Sequence, residues 1–183
     1  MKLYFLLILI VYNTNAFSQK LDIRFDEKCH TENSEILLDV MEDALGEKRV
    51  KKIVQKESST DYINSESEVG EFYSILNFFI TFDIDGKIID AGFVPFEGKL
   101  NNKKKSKIIN YVLEHQTNFN VCWNNMYELG SFLRRGGDIT EMENRFYENL
   151  YCEKLWNKQY RMNIAFPGFI TQEFYDKYLK DLK

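Results

Sequence analysis

The residues of this chain equipped for covalent or metal chemistry are few: Cys29, Cys122 and Cys152, with His30 and His115. A thiol nucleophile needs a histidine base beside it and a third group to orient that base. Cys29-His30 and the Cys122/His115 combination supply the residue types, but no spacing specifies the orienting group. With two histidines and neither HExxH nor CxxC spacing, no zinc site is expected. Asp83-Ile84-Asp85-Gly86 resembles part of an EF-hand loop, yet Thr81 stands at the first ligand position and Gly92 at the closing one. A tight turn between two strands accounts for the same residues.

No GxSxG, Walker or GxGxxG motif occurs. The glycines of Arg134-Arg135-Gly136-Gly137-Asp138 read as turn chemistry, and Glu141, Glu143, Glu148 and Glu153 as a charged helix face. Tyr147, Tyr151, Trp156 and Tyr160 form an aromatic stripe. Such a stripe lines a ligand groove or, at helical spacing, faces the core. The pattern therefore defines no catalytic, cofactor or metal residues.

Chemistry also depends on compartment. Met1-Lys2 carries one positive charge, Leu3 to Val11 is an unbroken apolar run, and Ala16-Phe17-Ser18 places small residues where a signal peptidase reads them. Residues 1–18 are expected to be a cleavable signal peptide, cut before Gln19. The apolar run is about half the ~20 residues that span a bilayer, and no cysteine follows the cut, so no transmembrane or lipid anchor is expected after cleavage. A secreted or periplasmic protein results. Its three cysteines would then meet an oxidising environment. Being odd in number, they leave at least one outside any intrachain bond. Cys122 and Cys152 flank one long segment and are the expected pair, although sequence alone does not give their separation.

The mature chain, 19–183, has the length of one domain with a substantial core. Hydrophobic residues make up 44% of the full 183-residue chain and aromatics 15%, which argues against disorder. Without Lys2 it holds 23 basic against 28 acidic residues. That balance argues against a nucleic-acid partner. The basic run Lys103-Lys104-Lys105 with Lys107 reads as the solvated face of a helix.

The positioning elements follow from periodicity. Asn33 or Ser34 caps a helix with buried positions Ile36, Leu37, Val40, Met41, Ala44 and Leu45, stopped by Gly46. Glu47 to Glu57 is a second short helix. Phe78, Ile80, Phe82 and Ile84 alternate along one strand, and Asp85-Gly86 supplies a two-residue hairpin turn into a second strand over Lys87 to Val94. Pro95 and Gly98 end that strand. Asn101 to Gln116 is a helix and Phe119 to Trp123 a short strand. Thr140 with Glu143 is the capping box of a helix reaching Tyr160. A last strand runs from Tyr160 to Phe166 and stops at Pro167-Gly168, before a terminal helix over Thr171 to Leu182. The expected architecture is one α+β domain, a central antiparallel hairpin sheet of ββαβ type packed by several helices.

Phe78 to Asp90, with its strand, acidic-Gly turn and strand, followed by the Asn101–Gln116 helix, resembles the C-terminal domain of TonB-type energy transducers. The resemblance covers about half the mature chain. It implies a ββαβ scaffold that takes a peptide or protein by strand addition. The cleavable leader, the lack of a Pro-rich spacer and the helical segment between later strands depart from that group, so energy transduction is not implied. The expected function is a non-catalytic binding or interaction module, with a protein or peptide partner in the cell envelope. The alternatives are a small exported enzyme combining cysteine or carboxylate with histidine, and an exported immunity or inhibitor protein.

Overall fold

A computed structural model describes residues 21–26, 28–61, 69–94, 100–124, 134–151 and 158–180. The expected leader (residues 1–18), Pro95, Gly98, Cys152, Glu153, Trp156 and Leu182 lie outside the described residues, as does the side chain of Tyr151.

The first helix, α1 (Lys28–Leu45), buries Leu37, Val40, Met41 and Leu45 as its spacing predicts. It starts earlier than expected. Asp26 accepts the Cys29 N–H at 3.0 Å through Oδ1, so capping falls there. Asn33 and Ser34 consequently sit inside the helix and are buried. Gly46, at φ 88°, ends α1, and its carbonyl accepts from Arg49 and Val50 as α2 (Glu47–Asp61) begins. Val50, Ile53 and Val54 carry α2 into the core.

Three strands follow the alternation of the sequence. β1 (Phe72–Asp83) is central, with β2 (Ile88–Phe93) antiparallel on one side and β3 (Gln159–Phe169) antiparallel on the other. Leu76, Phe78, Ile80 and Phe82 of β1 are at most 2% exposed and meet Met162, Ile164 and Phe166 of β3 on one buried face. That face packs against α1 and α3 (Asn102–His115), which contact each other. The fold is α+β.

Several local expectations change. The hairpin loop is longer than two residues: Ile84-Asp85-Gly86-Lys87 lie between the strands, with Gly86 at φ 81°. Asp83 Oδ1 accepts the N–H groups of Asp85 and Lys87 at 3.0 and 2.9 Å, so this carboxylate organises the turn. Phe119 to Trp123 does not join the sheet. It makes one parallel bridge, Arg24 N–H to Val121 O and Trp123 N–H to Arg24 O. Helix α4 (Ile139–Tyr151) begins at Asp138, whose Oδ1 accepts the Thr140 N–H, in place of the expected Thr140 box.

β3 runs through Pro167 to Phe169. A sheet edge tolerates proline because no ladder partner needs its missing N–H, and the register also shifts opposite, between Ser74 and Leu76. The terminal helix is a short turn, α5 (Gln172–Phe174), continued as a π-helical turn over Tyr175–Leu179. Phe174 and Tyr178 from this segment are buried.

Candidate functional site

Segment 116–124 and the first turns of α1 carry polar residues that tie the layers together. Gln116 ends α3 in the left-handed conformation, at φ 46°. Its Oε1 accepts the Ile88 N–H at 3.1 Å and its Nε2 donates to Ile88 O at 3.2 Å. The buried Asn33 pairs in the same way with the backbone of Asn120. Asn124 donates through Nδ2 to Arg161 O and accepts through Oδ1 from the Asn163 N–H. Ser34 Oγ donates to Ala165 O at 2.8 Å. Gln116 thus occupies β2 at Ile88, while Asn124 and Ser34 occupy β3 along 161–165. Strand addition needs bare edge groups, and at these positions they are already bonded.

The same segment carries the disulfide. Cys122 is bonded to Cys29, with 5.8 Å between Cα atoms, and both residues are fully buried. The expected Cys122–Cys152 bond is therefore not the one formed. The reason is tertiary: Asn33 and the Arg24 bridge lay residues 120–123 against the N-terminal end of α1. Both thiols of the described cysteines are consumed. His30 Nε2 lies 3.0 Å from Trp123 O, and His115 Nδ1 lies 2.9 Å from Tyr111 O. Among the described residues no thiol–histidine pair is assembled, and no cluster of three or more His, Cys, Asp or Glu side chains could hold a metal.

Of the four stripe aromatics, Tyr147 and Tyr160 come together, but in a packed cluster. Phe146 lies between Trp123, Tyr147 and Tyr160 at centroid distances of 4.6, 5.8 and 5.7 Å. Both hydroxyls act as clamps. Tyr147 Oη accepts the Ile23 N–H at 2.8 Å. Tyr160 Oη donates to Cys122 O at 2.7 Å and accepts the Asn124 N–H. Burial pushes the Tyr160 phenol up to about 12, so it remains a donor at neutral pH.

An open concavity lies elsewhere, between α1 and the strand ends that carry Phe72 and Phe169. A groove of about 480 Å³ is lined by His30 and Thr31 of α1, Phe72 and Asn77 of β1, and Asn163 and Phe169 of β3. Phe72 and Phe169 face each other across the ladder, with ring centroids 5.2 Å apart and planes at 71°. They remain 56% and 45% exposed, a large apolar area for two cross-strand residues to leave in water.

Gly168 holds the groove's inner wall close to α1. A Cβ there would stand 2.7 Å from Ser34 Oγ, and φ is 73°. A second recess of about 280 Å³ adjoins the groove and shares Thr31, Ser34 and Phe169 with it. Sequence reading missed this site because Phe72 and Phe169 are distant in the chain and meet only through strand register.

No protein-family model, curated protein or solved structure matches the chain. Fold and site define an α+β domain with an aromatic-rimmed groove, its sheet edges capped in part by side-chain amides.

Proposed function

We propose that this chain is an exported, non-catalytic binding module that takes a peptide or protein partner of the cell envelope in the Phe72–Phe169 groove. The observation that carries the reading is the exposed edge-to-face pair at the mouth of a groove of about 480 Å³. Ligand sites are concave and largely apolar, with a few polar groups that fix orientation. Thr31 and Asn163 bring such groups here. The Cys29–Cys122 bond is in keeping with an oxidising compartment and with the leader-like residues 1–18. The partner enters through the groove, since Gln116, Asn124 and Ser34 bond the strand edges at the positions described above.

Two measurements test this. Protein recovered from the envelope or medium of the exporting cell should begin at Gln19, and recovery only as the intact cytoplasmic chain would overturn the export reading. Peptides selected from a displayed random library should bind the mature protein and lose about tenfold in affinity on Phe169→Ser, the scale expected for one buried aromatic contact. Selected peptides that bind both proteins equally would overturn the groove assignment.

A further inference from the structure

The two concavities differ in electrostatic character yet share a wall. Thr31, Ser34, Glu35, Leu38 and Asp39 line them along α1 at spacings of i, i+3, i+4, i+7 and i+8, one continuous stripe. The end of β3 is the facing wall. No Asp, Glu, Lys or Arg lines the larger groove. The smaller recess is lined by Glu35, Asp39 and Glu173, with Lys177 as its cation.

Lys177 is already engaged. Its Nζ lies 2.9 Å from Glu42 Oε1, and 3.8 Å from Glu47. Glu42 also accepts from the Tyr178 hydroxyl. Among the described residues, no ion pair or hydrogen bond engages Glu35, Asp39 or Glu173. The recess therefore presents three carboxylates against one lysine that is itself ion-paired to Glu42, an excess of negative charge beside an aromatic-rimmed groove without Asp, Glu, Lys or Arg.

We propose that the groove and the recess form one channel for a short extended peptide, with an aromatic or branched apolar residue in the neutral half and a lysine or arginine in the acidic half. This rests on the binding-module reading and adds the ligand's chemistry to it. The length follows from the stripe. Thr31 to Asp39 rises about 12 Å at helical pitch, which an extended chain at about 3.3 Å per residue covers in three or four residues. The charge argument is local. Partial desolvation and the neighbouring Glu42, Asp43 and Glu173 raise the pKa of Asp39, against an opposing pull from Lys177. A bound cation relieves that crowding of like charge.

The test uses four acetylated, amidated tetrapeptides titrated into the disulfide-intact protein by calorimetry. Phe-Gly-Ala-Arg and Arg-Gly-Ala-Phe cover both chain directions, and Phe-Gly-Ala-Glu and Ser-Gly-Ala-Arg are the controls. One direction should bind at least about tenfold more tightly than either control. The Glu35→Gln/Asp39→Asn double variant should weaken that peptide about fivefold and leave Phe-Gly-Ala-Glu unweakened. Its melting curve should match that of the parent, which separates lost charge from lost fold. Equal binding of all four peptides would overturn the channel, as would no binding at millimolar concentration or full affinity in the double variant. A neutral oligosaccharide competing in their place would overturn it as well. Library-selected peptides that still need Phe169, but ignore the carboxylates, would remove the channel and leave the binding module standing. If no selected peptide needs Phe169, both readings fall.

Discussion

Asn33 binds the backbone of Asn120 as a neighbouring strand would. Its Nδ2 donates to Asn120 O at 2.7 Å and its Oδ1 accepts the Asn120 N–H at 2.8 Å. Gln116 does the same for Ile88, and Asn124 spans Arg161 and Asn163. A carboxamide sets an N–H donor beside a C=O acceptor in one plane, like a peptide group, and has a second N–H to spare. It can therefore satisfy exposed ladder positions without adding a strand. The same bonds close the template for edge-to-edge association at those positions.

Removing the Asn33 amide should be costly because it is fully buried. Asn33→Ala deletes both hydrogen bonds to the Asn120 backbone, with the weaker Nδ2 bonds to Cys122 Sγ and Met162 Sδ, and leaves two backbone groups in need of partners, a loss of about 2–4 kcal/mol in urea unfolding. Asn33→Asp keeps the acceptor but sets a carboxylate against the Asn120 carbonyl, and should lose at least as much at neutral pH. A cost under about 1 kcal/mol for Asn33→Ala would mean that water replaces the amide and that the segment is held mainly by its disulfide.

The disulfide makes its own prediction. Cys29 and Cys122 are 93 residues apart in sequence. In the chain-entropy account, a loop of that order contributes about 4–5 kcal/mol. Cys29→Ser/Cys122→Ser should shift the denaturation midpoint accordingly. Peptide mapping without reductant should recover a fragment joining Cys29 to Cys122. A fragment joining Cys122 to Cys152 would refute the pairing.

What could be read in advance was whatever repeats locally. The β1 alternation of Phe78, Ile80 and Phe82 and the α1 positions Leu37, Val40, Met41 and Leu45 announce their buried faces at periods of 2 and 3.6. The helix expected from Asn101 to Gln116 forms over Asn102–His115, with the Asn101 side chain accepting the Lys104 N–H as its cap. The misreadings have a common origin in competition between local and distant partners. Asn33 has the composition of a helix cap, but burial against Asn120 outweighs that use. Cys122 stands nearer Cys152 in sequence, yet the Arg24 bridge decides its neighbour. The groove is further from view still: the pairing of Phe72 with Phe169 exists only once β1 and β3 are in register.

Gly92 offers a test of the sheet's other face. The Phe79 ring lies over it, and a Cβ on Gly92 would stand 2.6 Å from the ring's Cζ. The Arg161 guanidinium lies 3.6 Å from the centroid of the same ring. Phe79 thus covers a strand glycine and stacks with a cation. Gly92→Ala should displace the ring and destabilise the protein by about 1–3 kcal/mol, despite alanine's better conformational entropy. In the Phe79→Leu background the penalty should shrink, a coupling that a double-mutant cycle measures. Stabilisation by Gly92→Ala alone would show that the ring moves aside at no cost.

Asp26 links the end of α1 to acidity. Arg24 donates to it twice, Nε to Oδ2 at 2.8 Å and Nη2 to Oδ1 at 3.0 Å, while its Oδ1 also accepts the Cys29 N–H. The Arg24 hydrogen bonds hold the Asp26 carboxyl below its ordinary value of 3.8. A folded-state pKa below the unfolded one contributes stability in full above the unfolded value, and that contribution is lost as pH falls through the folded one. Asp26→Asn separates the charge from the cap, since asparagine caps a helix about as well as aspartate. The variant should be less stable than the parent at about pH 7, by a margin kept modest because the pair is partly exposed. The two should converge as pH drops below about 4, when the parent's carboxylate takes up its proton. Urea midpoints measured from neutral pH to about pH 2 would show the convergence. A gap that stays constant across that range would place the effect in the cap and remove the Arg24 pair from the energetics.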